Sequence, residues 1–156
     1  MLINRSNIFE LTKKLNLKPE KDYGQNFLIE SEIAARIVDK LEINEADHIL
    51  EIGCGWGAFA EYAAREYGCF VTGISLSKEQ LAYANARIKD SPVADKIHFK
   101  YCDYRDLNGK YDAIVSIEML EAVGEEWWPT YFNKVASGRS GSSSPARSTI
   151  TRRSPR

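Results

Sequence analysis

The sequence predicts an α/β fold in which a mainly parallel sheet carries helices on both faces. Three observations predict it. Short apolar runs and helical segments follow one another as strand, helix, strand, helix, strand, strand. The runs are continuously apolar rather than alternating, as in strands buried on both faces. The first run ends in a glycine-rich turn that leads straight into a helix, the unit that brings backbone close to a ligand.

Local chemistry justifies each element in order. Residues 31–42, SEIAARIVDKLE, open on Ser31 as an N-cap, and Ala34, Ile37, Val38 and Leu41 share one helical face. HILEIG (48–53) is a short apolar run stopped by glycine. AFAEYAAREYG (58–68) reads as a helix ended by Gly68. CFVTGIS (69–75) is rich in β-branched residues and reads as a strand. SKEQLAYANARIKD (77–90) begins with Ser77 as N-cap and continues as an amphipathic helix. KIHFKY (96–101) and YDAIVSI (111–117) read as two more strands. EEWWPTYFNKV (125–135) reads as a helix, with Pro129 in its first turn where proline is tolerated. The sheet is therefore expected to be truncated after about four strands, with an unpaired apolar edge open to self-association.

A chain of 156 residues allows one domain. We divide it into an N-terminal helical segment (1–46), a core (47–135) and a tail (136–156). The hydrophobic fraction of 44% with 28% charged residues excludes collagen-like, mucin-like and wholly disordered chains. No apolar run approaches the roughly 18 residues of a membrane-spanning helix. The start, MLINRSNIFELTKKL, lacks the apolar region of a signal peptide, so a cytoplasmic chain is expected. Cys54, Cys69 and Cys102 are widely spaced, which argues for reduced thiols and against a zinc site.

The net charge of −1 hides an asymmetry. The tail holds five of the 21 basic residues and no acid, leaving residues 1–135 with 16 bases against 22 acids, a net of −6. An acidic body is a poor start for gripping phosphates. The tail, ASGRSGSSSPARSTITRRSPR, has one large aliphatic residue, Ile150, and is expected to be disordered. It reads either as a basic arm for RNA or anionic lipid, or as the product of GC-rich DNA translated out of frame.

Chemistry concentrates in HILEIGCGWGAF. Gly53, Gly55 and Gly57 allow a tight turn and a close backbone approach, and the following helix offers free N–H groups to an anionic moiety. Three glycines alone are a weak signal. The preceding strand, the following helix and Glu51 strengthen it. The third glycine falls one position early for the dinucleotide pattern. Glu51 would repel a pyrophosphate but suits a cationic ligand with an α-amino group, as S-adenosylmethionine has.

The run from ILEIGCGWGAF through VTGISLSKEQ, DYRDL and SIEMLEAVG to YFNKV resembles the cofactor-binding half of the cyclopropane-fatty-acyl-phospholipid synthase family over roughly residues 48–135. The resemblance implies a Rossmann-like class I methyltransferase core that uses S-adenosylmethionine to add a methylene across a double bond of phospholipid acyl chains. By position it implies that Glu51, Gly53, Gly55 and Gly57 line the methionine moiety. Ser75, assisted by Gln80, would meet the ribose. Asp103 would accept from the adenine amino group, with Cys102 and Tyr104 flanking the ring. Glu121 would be the catalytic carboxylate, holding a bicarbonate base, although Ala122 stands where many relatives have His. A location peripheral to the inner membrane surface follows.

Bland readings stand beside these. Gln80 and Asp103 also read as solvated surface residues, and Glu121 as a helix-terminal acid. Cys54 reads as a small buried residue, and His48 and His98 as packed or solvated strand residues. Trp127, Trp128, Tyr131 and Phe132 read as core before lipid platform.

A second segment, LKPEKDYGQNFLIESEIAARIVDKLEINEADHILEIG (17–53), is similar to the start of ribosomal RNA adenine dimethyltransferases. There the resemblance implies that Asn26 and Leu28 contact the cofactor. The lipid enzyme, truncated as it is here, is expected to be weak or inactive; an RNA adenine methyltransferase is the alternative, and a non-catalytic cofactor-binding fragment, or a chimera joined at the glycine loop, is a third expectation.

Overall fold

The computed structural model describes residues 31–117, 119–140 and 148–151. Asn26, Leu28 and the rest of residues 17–30 of the second resemblance lie outside the described residues. The elements run α1 (Ser31–Lys40), β1 (His48–Ile52), α2 (Ala58–Tyr67), β2 (Phe70–Ser75), α3 (Lys78–Ile88), β3 (Ile97–Tyr101), β4 (Ala113–Ile117), α4 (Leu120–Val123), α5 (Trp128–Ser137) and β5 (Ser148–Thr151). Short 3-10 turns occupy Ala94–Lys96, Tyr104–Asp106 and Glu125–Trp127.

Strand order is β3-β2-β1-β4-β5, and every pairing is parallel. Alternate residues of one strand feed opposite cores. Ile49 of β1 joins Ala34, Val38, Phe59, Ala60 and Leu81 beneath α1, α2 and α3. Leu50 and Ile52 join Ile74, Ile114, Leu120, Tyr131 and Val135 beneath α4 and α5. This double burial explains the unbroken apolar runs.

The elements end where local chemistry says they should. Gly68 caps α2 in the left-handed conformation and donates its N–H to Ala64 O. Ser77 caps α3, its Oγ accepting from the Gln80 N–H at 3.1 Å. Pro129 occupies the first turn of α5.

All four expected strands form, and a fifth extends the sheet. The reading of 136–156 as a disordered tail is corrected for part of that stretch. Helix α5 continues to Ser137, Tyr111 bridges Arg139 in parallel, and Ser148–Thr151 pairs with β4 from Ile114↔Ser148 to Ile117↔Thr151. The outer backbone groups of β4 need partners, and Ser-Thr-Ile-Thr is rich enough in β-branched residues to supply them. The unpaired edge expected at β4 is therefore covered by β5. Ser140 reinforces the connection, its N–H donating to Tyr111 O at 2.8 Å and its Oγ to Asp112 Oδ1 at 3.0 Å.

Candidate functional site

Sheet order reverses between β1 and β4, which lie side by side while their connections run to opposite sides. In open α/β sheets the crevice outside the carboxyl ends of the strands, at such a switch point, is where ligands bind. The structure brings the described candidate residues to that edge. Gly53, Gly55 and Gly57 follow β1, Ser75 ends β2, Asp103 and Tyr104 follow β3, and Glu121 lies in α4 after β4.

The glycine loop needs its glycines for different reasons. All three have positive φ: +79° at Gly53, +52° at Gly55 and +80° at Gly57. A Cβ at Gly57 would lie 2.6 Å from Phe99 Cζ, and one at Gly53 would overlap the Met119 side chain. At Gly55 a Cβ would meet nothing within 4 Å. Gly53 and Gly57 are thus fixed by packing, whereas Gly55 faces open space. The Gly53 and Cys54 N–H groups both donate to Ile74 O at 2.9 Å, tying the loop to the end of β2.

Glu51 sits beneath this loop with 3% of its surface exposed. One carboxyl oxygen accepts the Ala60 N–H, and Oε2 has no hydrogen-bond partner. Burial pushes its pKa up to about 8. Cys54 is buried and its thiol is driven well above the usual range by burial and by Glu51, which fits a packing role and not a nucleophile.

Ser75 and Gln80 meet. Ser75 Oγ donates to Gln80 Oε1 at 3.0 Å and accepts the Ser77 N–H at 3.1 Å. Asp103 is half-buried and engaged by Arg105, whose Nε and Nη2 donate at 3.0 and 2.7 Å. That hydrogen bonding holds the Asp103 carboxyl below the usual carboxylate range. To accept from an adenine amino group, Asp103 must share an oxygen with Arg105. Cys102 and Tyr104 are both half-buried beside it, and Tyr104 stacks edge-on to Tyr131 with ring centroids 5.0 Å apart. Glu121 is exposed in the first turn of α4.

Two residues at this edge escaped the sequence reading. Met119 seats its side chain against Gly53, and Leu76, next to Ser75, is 58% exposed. A large apolar residue directly after a strand of a switch-point edge was the available signal for Leu76. Nothing local marks Met119, whose contact is tertiary. The aromatic cluster divides: Tyr131 is fully buried, Trp128 half-buried, and Trp127 and Phe132 exposed. His48 makes a 2.8 Å hydrogen bond with Thr72, and His98 is exposed. A cavity of about 210 Å³ lies under α5, lined by Leu50, Ile52, Leu107, Tyr111 and Ile114 among others, and none of the candidate site residues lines it.

A family model described as mycolic acid cyclopropane synthetase matches residues 30–153. A probable fatty acid methyltransferase of Pseudomonas putida is 45% identical over 98 residues, covering 62% of this chain and 25% of that protein. The cyclopropane-fatty-acyl-phospholipid synthase of Escherichia coli K12 is 41% identical over 96 residues, covering 62% of this chain and 24% of that protein. The match thus spans about a quarter of each relative's length. A geranyl diphosphate methyltransferase solved with S-adenosylmethionine superposes with a TM-score of 0.55 at 26% identity, covering 58% of this chain and 38% of that one. The Rossmann-like methyltransferase fold follows from this likeness and from the sheet order. One family model matches residues 30–153, on both sides of the glycine loop, so the postulated join and the RNA-enzyme resemblance gain no support from it.

Proposed function

The chain belongs to the mycolic acid cyclopropane synthetase family, and from that premise we propose that it binds S-adenosylmethionine at the carboxyl edge of the sheet, as the cofactor half of an enzyme that transfers one carbon to a lipid acyl chain. One observation carries the reading. A buried carboxyl with an unpartnered oxygen lies under a loop of three positive-φ glycines, and the middle glycine faces open space. The donor set fits the cofactor. Glu51 suits its ammonium group, the Gly55 turn admits its backbone-hugging chain, Ser75 with Gln80 offers a hydroxyl and an amide to the ribose, and Asp103 with Tyr104 offers an acceptor and a ring to the adenine. Leu76 adds an apolar surface for the base.

When bound, S-adenosylmethionine supplies an electrophilic sulfonium methyl group. The protein's part is to orient that methyl toward the β4–α4 end of the crevice, where Met119 and Glu121 lie. We assign the acceptor to unsaturated phospholipid acyl chains because the relatives include a fatty acid methyltransferase and a cyclopropane synthase. A protein working on such chains is peripheral to a membrane surface; no helix among the described residues is long and apolar enough to cross one. Bicarbonate fits less well. Glu121 is exposed and is followed by Ala122, and no step is routed through bicarbonate.

Calorimetric titration with S-adenosylmethionine, beside a Gly55→Val variant, tests the reading. Saturable binding that the variant loses supports it. No binding by a folded chain sinks it. Lipid extracts from expressing cells then address the acceptor: cyclopropane or methylated acyl chains that vanish with Glu121→Gln assign the full reaction. Their absence confines the assignment to cofactor binding.

A further inference from the structure

The environment of Glu51 goes further than a binding contact. A buried carboxylate with one amide donor and one bare oxygen loses its hydration and recovers little of it. Nothing charged faces it among the described residues. Its register partners are Gly73 on β2 and Val115 on β4. On the same face of the sheet, α1 contributes Ala34, Ile37, Val38 and Leu41, and α2 contributes Phe59 and the Ala60 N–H. The glycine loop contributes the Cys54 thiol, itself held neutral by burial. The ion pairs formed by acids of this region, such as Glu61 with Arg65 and Arg87, do not reach it.

We infer that Glu51 carries a proton in the ligand-free protein and releases it to solvent when a ligand's ammonium group donates to its bare oxygen, so that cofactor binding is coupled to proton loss. This rests on the cofactor reading above. The charge balance is simple. One cationic amine enters, one proton leaves Oε2, and the buried region holds an ion pair where it held a neutral acid. An uncharged ligand offers no such exchange and leaves the proton in place. Glu51 thereby becomes a specificity residue, selecting cationic amines over neutral adenosine derivatives.

Two measurements test this separately from the cofactor reading. Infrared spectra of the ligand-free protein at pH 7 should contain the band of a protonated buried carboxyl, missing in Glu51→Gln. An identical spectrum in the variant overturns the inference whether or not any ligand binds. Calorimetry with S-adenosylmethionine in buffers of different ionisation enthalpy should report about one proton released per ligand near pH 6, falling to about none near pH 8, where Glu51 ionises unaided and the ligand's α-amino group begins to lose its own proton. From about pH 6 affinity should rise about tenfold per pH unit, and above about pH 8 it should fall again as the ligand's own α-amino group loses its proton. Near pH 6 Glu51→Gln should bind more weakly and release no proton, and 5′-methylthioadenosine, which lacks the amine, should release none from the wild type. Binding with no proton release overturns the inference and leaves the cofactor reading standing. No binding, with the infrared band present, fails the cofactor reading and with it the exchange, while the neutral state of Glu51 survives.

Discussion

At the scale of single residues, two glycines of one loop separate folding from binding. Gly57→Ala puts a methyl group against Phe99 and Ala84 at 2.6 and 2.9 Å and forces a positive φ on an L-residue. Strain of about 1–2 kcal/mol adds to overpacking of about 1–3 kcal/mol. Gly55→Ala meets only the first cost, because nothing lies within 4 Å of its new methyl. Urea unfolding should therefore rank Gly57→Ala as much the less stable, whereas calorimetry should find Gly55→Ala folded but weakened in cofactor binding. Glu51 gives a second prediction at this scale. Its folded pKa, about 8, lies above the ordinary glutamate value of 4.5, so the folded state holds the proton more tightly than the unfolded state. The stability it contributes is complete below the unfolded value and is lost as pH rises from about 4.5 through about 8. Urea midpoints of the ligand-free wild type should fall relative to those of Glu51→Gln across that window and run parallel outside it. The positions of Glu51 at the end of a strand and of the glycines in the turn after it were legible in the sequence, because residue type at a fixed spacing dictates that local geometry. The engagement of Asp103 by Arg105 was not, since a side chain two residues away has many rotamers and only the folded turn selects this one.

At the scale of elements, caps explain why boundaries were readable and packing explains why contacts were not. Helix α3 starts after Ser77 and α2 stops at Gly68, as their sequences say, because both signals act within one turn. The path of α5 is different. It is pinned by a buried hydrogen bond from the Tyr131 hydroxyl to Ser116 Oγ of β4, with both residues fully buried. The sequence marks Tyr131 only as one aromatic among several. Removing one partner leaves a buried polar atom unmet, at a cost of about 1–3 kcal/mol. Tyr131→Phe and Ser116→Ala should each destabilise the chain by that order. The double variant should lose less than the sum, with a coupling energy of about 1 kcal/mol in thermal or urea unfolding. Strict additivity would mean that the hydroxyl pair contributes nothing beyond the packing of the Tyr131 ring on Tyr104 and Phe132.

At the scale of the whole molecule, the sheet decides what the sequence left open. Composition identified residues 136–156 as polar, basic and poor in apolar surface, and that description is accurate for the isolated stretch. It misses β5 because strand formation there depends on a template, the outer edge of β4, which lies more than thirty residues earlier at Ile114–Ile117. Four register pairs join the two strands, and each ladder hydrogen bond is worth about 0.5–1.5 kcal/mol net. A chain shortened after Ser140 keeps the Ser140–Tyr111 and Ser140–Asp112 ties but uncovers the β4 edge. Such an edge, carrying Ile114, Val115 and Ile117, is a template for a second chain. The shortened protein should unfold at lower urea concentration and should sediment as concentration-dependent oligomers, while the full chain keeps a single sedimentation coefficient over the same range. An unchanged midpoint with no association would place the stability of the sheet wholly in β1 to β4 and reduce β5 to a surface strand. The proposed cofactor site gives an internal control. Its residues lie between Glu51 and Glu121, so loss of β5 should lower stability more than it lowers affinity for S-adenosylmethionine measured under folding conditions.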